Sequence, residues 1–125
     1  MLAGRIGSWR PQLWLARRHL ERDELDQAVV LYESVLPAAS EYGDALMMIS
    51  GDLGNHGHPE LALKLVGPHY DAPMHGALTG LNLIAACIQL GEIAQGRALC
   101  DQVERLERYD LIEPLAQLRT QLKAA

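Results

Sequence analysis

The sequence predicts an all-α chain, with three antiparallel helix pairs in a row and a capping helix after them. Three observations carry this expectation. Leu and Ala dominate the apolar residues, Phe is absent and β-branched residues never alternate with polar ones; this composition favours helix and lacks the period-two signature of strands. Gly and Pro clusters cut the chain into apolar-periodic blocks of helical length. Several independent columns recur at one step of 34 residues.

The blocks run in order as follows. From Trp9 to Glu21 the apolar positions Trp9, Leu13, Trp14, Ala16 and Leu20 have helical spacing. Glu24 to Leu36 carries Leu25, Ala28, Val29, Leu31, Tyr32, Val35 and Leu36, with Pro37 as a breaker. Asp44 to about Leu53 is the third block. Pro59 to Tyr70 is the fourth, and its proline suits a helix start. Ala77 to Leu90 and Glu92 to Glu107 follow. The last helix spans about Leu111 to Lys123, with Asp110 expected as its N-cap. Leu115, Leu118 and Leu122 form its apolar stripe, while Glu113, Gln117, Arg119, Gln121 and Lys123 face water.

The 34-residue columns are Ala28, Ala62 and Gly96; Leu15, Ile49 and Leu83; Leu31, Leu65 and Leu99; and Asp23, Gly57 and Gly91. Small residues on the second helix of each pair permit close approach, and the leucines fill the space beside them. One helix pair cannot bury its apolar face alone, whereas three stacked pairs can.

A helix–turn–helix unit of this length, with a small residue on its second helix, resembles the tetratricopeptide repeat. The segment Asp23 to Leu36 carries the likeness best, with Ala28 at the family's alanine and Tyr32 at its large aromatic. The first-helix signature is replaced: Gln12, Leu46 and Gly80 stand where the family has Trp, and His19, Leu53 and Cys87 where it has Tyr. The resemblance implies a right-handed α-solenoid with repeats at 9–42, 43–76 and 77–110. It has an extension at 1–8 and a cap at 111–125. It also implies that the first helix of each pair lines a concave face. Mapped by helical spacing, that face holds Arg10, Leu13, Trp14 and Arg17, then Asp44, Met47, Met48 and Asn55, then Leu78, Leu81, Asn82 and Gln89. The family's carboxylate-clamp places hold Leu13, Arg17, Met48, Leu78 and Asn82, so the clamp is missing and chaperone C-termini are not the expected clients.

Other chemistry is thinly represented. Cys87 and Cys100 fall at inward helix positions amid apolar residues and read as small core residues. His56 and His58 lie in a turn near Asp52, with a spacing that matches no zinc pattern. His69 and His75 read as loop residues. No nucleophile elbow, phosphate loop or dinucleotide fingerprint is present. The net charge of −5 argues against general nucleic-acid binding, and the absence of a long apolar run argues against a membrane span. Residues 1–22 carry a net +4, and residues 23–62 hold eight acids with no Lys or Arg. Such asymmetry serves either pairing between adjoining helices or recruitment of an acidic partner by a basic first helix. The expectation is a cytoplasmic, non-catalytic protein-interaction module without metal or cofactor. It takes a peptide or amphipathic helix on an apolar face with a Trp anchor and adaptable Met side chains. The alternative is a small secretion or assembly chaperone that holds an aggregation-prone client segment. Self-association into a homo-oligomer is a further expectation.

Overall fold

The computed structural model describes residues 9–124, so the expected extension at 1–8 lies outside the described residues. Of the described residues 84% are helical, and none lies in a strand. Its elements are α1 (Trp9–Glu21), α2 (Leu25–Ala39), α3 (Gly43–Asn55), α4 (Pro59–Val66), the short α5 (Ala72–His75), α6 (Ala77–Leu90), α7 (Ile93–Glu104) and α8 (Ile112–Ala124). No helix among them is long and apolar enough to cross a membrane.

The 34-residue step is written into the backbone. The turns joining α1 to α2, α3 to α4 and α6 to α7 each place one residue in the left-handed region: Asp23 (φ 58°), Gly57 (φ 83°) and Gly91 (φ 71°). The next N–H in each turn reaches back to close the preceding helix. Glu24, His58 and Glu92 donate to the carbonyls of His19, Leu53 and Cys87 at 2.8, 2.8 and 2.9 Å. This is a Schellman-type stop, which satisfies carbonyls the helix end would otherwise orphan. Glycine adopts the required φ freely, and Asp is among the few residues that tolerate it.

These turns fold each pair of helices back to back, with α1 on α2, α3 on α4 and α6 on α7. Between pairs, α3 packs on α1 and on α6, and α6 also packs on α4. Helix α8 lies on α7 and touches α6. The core runs through all the pairs without a break, from Trp9, Leu13 and Tyr32 to Leu46, Ile49 and Leu83 and on to Cys100 and Leu122. The column Leu15, Ile49, Leu83 shows an end effect: Ile49 and Leu83 are fully buried, while Leu15 is 51% exposed. Gly96 also gains a reason. A Cβ there would lie 2.5 Å from Leu122 Cδ2 and 3.2 Å from Cys87 Cβ, so the glycine makes the notch that seats α8.

Helix α1 spans Trp9–Glu21 as expected, with Pro11 in its first turn, where the missing N–H has no helical partner to lose. Several other boundaries are corrected. Pro37 does not end α2, which continues to Ala39 because Leu36 and Ala39 are buried and anchor the last turn. The fourth helix stops at Val66 rather than Tyr70. Pro68 has no N–H to extend the ladder, and Gly67–His69 tightens into a 3₁₀ turn. Helix α7 ends at Glu104 rather than Glu107, which itself takes a left-handed φ of 55°. Asp110 is not an N-cap. It sits inside a 3₁₀ turn (Tyr109–Leu111) and accepts two bonds from Arg108 at 2.9 and 2.7 Å. His75 is not a loop residue. It ends α5, where its Nδ1 accepts from the Asp71 N–H at 2.9 Å, leaving Nε2 to donate to the Ser40 carbonyl at 2.6 Å.

Burial dominates the ionisation of the interior. It pushes the Tyr70 phenol up from 10.0 to about 12, with the Asp71 charge adding to the effect. It pushes the Cys87 thiol up from 9.0 to about 11, with Glu92 and Cys100 adding. Both groups are more easily ionised in the unfolded chain, so their contribution is complete below the unfolded value and lost as pH rises through the folded one. Stability in urea is therefore expected to hold up to pH 9 and to fall between pH 9 and pH 12. A flat profile across that window would contradict the burial of these groups.

Candidate functional site

Helices α1, α3 and α6 lie side by side, and polar contacts stitch one face of this row together. Arg10 meets Asp44 at 3.4 Å, and Arg17 donates through Nε to Asp52 at 3.0 Å, both across the α1–α3 seam. The Asp52 carboxylate holds the Arg17 guanidinium even more firmly protonated than usual. Across the α3–α6 seam, the Asn82 amide donates to Ser50 Oγ at 3.1 Å and to the Met47 carbonyl at 3.4 Å. Trp14 stands on this face 61% exposed, with the Arg17 guanidinium 5.7 Å from its ring centre. Leu78 is 53% exposed at the other side of the row.

The face thus collects Arg10, Trp14, Arg17, Asp44, Asn82 and Leu78, as helical spacing expects. Met47 is half-buried, and Met48 and Leu81 pack against the core from the edge of the face. Asn55 and Gln89 are exposed at the C-terminal ends of α3 and α6. Leu13 is a correction: it is fully buried on the stripe of Trp9, Ala16 and Leu20, so it belongs to the core and lines no groove. Asn82 is also engaged inside the protein, its donor committed to α3.

Asp52 is a residue of this face that the sequence reading set aside. Its signal is an opposite charge 35 residues from Arg17, one residue more than the repeat step. The pairing of Arg10 and Arg17 also accounts for part of the charge asymmetry between residues 1–22 and 23–62. His56 binds the Asp52 carbonyl through Nδ1 at 2.8 Å, and no group of three metal-ligating side chains occurs among the described residues.

A cleft elsewhere in the molecule has no counterpart in the sequence expectations. Between α7 and α8 lies a cleft of about 510 Å³, lined by Val103, Tyr109, Ile112 and Leu115 with Glu104 and Arg119 at its edge. Tyr109 and Ile112 are exposed beside it. Arg119 reaches over α7 to Asp101 at 2.8 Å and Glu104 at 3.3 Å rather than facing water alone. Comparison with family models, curated proteins and solved structures finds no match to this chain.

Proposed function

We propose that the chain is a non-catalytic interaction module. In this reading the pairs at 9–42, 43–76 and 77–110 stack as a short tetratricopeptide-like solenoid, and 111–125 caps it. The face of α1, α3 and α6 receives a peptide or an amphipathic helix. The observation that carries the reading is Trp14, a large aromatic left 61% exposed on a face crossed by the Arg17–Asp52 ion pair and the Asn82 hydrogen bonds. A preorganised surface with an exposed aromatic anchor loses little entropy on binding, and exposed Leu78 extends the apolar contact along the row. The test selects helical peptides on the wild-type chain and measures them by fluorescence anisotropy. Trp14→Ala and Leu78→Glu are each expected to weaken the selected peptides about tenfold, or 1.4 kcal/mol. Both side chains are exposed, so the fold is retained. Equal affinity for wild type and both variants would remove this face from the binding reaction.

A holding chaperone is the second reading, and the α7–α8 cleft with exposed Tyr109 and Ile112 favours it. Suppression of aggregation of a model client that is lost in Ile112→Glu, but kept in Trp14→Ala, would select it.

A further inference from the structure

The outer face of the first helix pair is apolar, and the repeat equivalents of its Leu15 and Leu31 lie in the core, whereas those of its Val30, Lys64 and Ala98, are exposed. A groove of about 500 Å³ between α1 and α2 is lined by Leu15, His19, Asp26, Gln27, Val30 and Leu31. Leu15 is 51% and Val30 65% exposed. One step and two steps along the repeat, Ile49 and Leu83 occupy Leu15's place and are fully buried. Helix α6 packs on α4 of the pair before it, and α3 touches α2. Helix α1 has no preceding pair among the described residues.

Charge indicates what covers this face. On α1 and its turn, Arg18 and Arg22 follow Leu15 at helical spacing; on α2, Asp26 precedes Val30 by four residues. Among the described residues none of these three charges has an opposite charge within 4 Å. The surface therefore carries a basic row on one helix and an acid on its antiparallel neighbour, with apolar residues between. A two-fold axis running between the two helices lays α1 of one copy along α2 of the other. Leu15 then meets the partner's Val30, and Arg18 and Arg22 come beside the partner's Asp26. A surface that is its own complement in this way suits a closed pair of identical chains. We propose that this face is the interface of a two-fold homodimer. Each copy offers two helices about 20 Å long and about 10 Å wide, which is small for a stable interface. The dimer is accordingly a weak one. The inference stands apart from the peptide-binding reading, which uses the neighbouring stripe of α1.

Sedimentation equilibrium from about 1 to about 100 µM tests it. The wild-type mass is expected to rise from 13.8 kDa towards twice that value. Val30→Glu, and the milder Val30→Gln, are expected to raise the dissociation constant, the former about tenfold or more. Arg22→Glu and Asp26→Arg each weaken the dimer, and the double reversal restores it, which a merely structural role of either residue would not produce. Trp14→Ala leaves the equilibrium unchanged. Circular dichroism on each variant checks that helix content is kept. A wild type that stays at 13.8 kDa throughout overturns the proposal. So does a dimer indifferent to Val30→Glu, or one that the double reversal fails to restore.

Discussion

Leu122→Ala is expected to lower the unfolding free energy by about 3 kcal/mol and to open the two cysteines to thiol reagents. Leu122 is fully buried and fills the notch over Gly96, which Cys87 also borders. Truncation removes transfer energy and leaves a cavity that helix α7 can fill only by moving. Leu122 shares the hold on α8 with two other leucines. Leu115 is buried and Leu118 half-buried, while the bridges of Arg119 to Asp101 and Glu104 join substantially exposed groups. Exposed pairs of this kind contribute about 0–1 kcal/mol each. Cys87 and Cys100 are both buried free thiols that burial keeps protonated, so the native wild type reacts slowly. A loosened cap raises that rate well before global unfolding. Gly96→Ala attacks the same joint from the other side, because its new Cβ meets Leu122. It is expected to cost about 1–3 kcal/mol. The two substitutions touch one contact, so the double variant should fall short of the summed losses. Additive losses, or native thiol rates unchanged in Leu122→Ala, would show that α8 is not seated by this contact.

That joint also marks where the sequence stops being legible. The step of 34 residues could be read from Asp23, Gly57 and Gly91 because a left-handed turn admits few residue types, and the backbone repeats there as expected. The role of Gly96 could not be read. Its column pairs it with Ala28 and Ala62, but Leu122, the side chain that needs the space, lies outside the period. Periodicity is likewise silent about ends: Leu15, Ile49 and Leu83 are one column to the sequence and two environments in the structure. On α1, one residue separates core from surface. Leu13 is fully buried and Trp14 exposed, since adjacent helix positions differ by about 100°. One side of α1, with Arg10, Trp14 and Arg17 spaced three or four apart, emerged from this ambiguity. The α7–α8 cleft did not, for it forms where Glu107 turns the chain out of the repeat.

Tyr32→Phe is expected to stabilise the protein by about 2 kcal/mol. Tyr32 is fully buried on α2, yet its hydroxyl has no hydrogen-bond partner among the described residues. An unpaired buried hydroxyl has lost its water without compensation, whereas a phenylalanine ring keeps the packing and removes the deficit. The surroundings agree. Burial pushes this phenol well above its ordinary range, and the nearby Asp52 carboxylate pushes it further, opposed by Arg17. The hydroxyl therefore stays neutral beside the Arg17–Asp52 bridge, which at 3.0 Å is complete without it. Tyr70 supplies the control. Its hydroxyl donates to the Gly76 carbonyl at 2.7 Å, so Tyr70→Phe orphans an acceptor and is expected to cost about 1 kcal/mol. The same atom is deleted from two buried rings, and the sign of the effect follows from whether the hydroxyl has a partner. Urea unfolding of both variants at pH 7 decides the matter: a loss at Tyr32 equal to that at Tyr70 would mean that the buried hydroxyl is bonded after all.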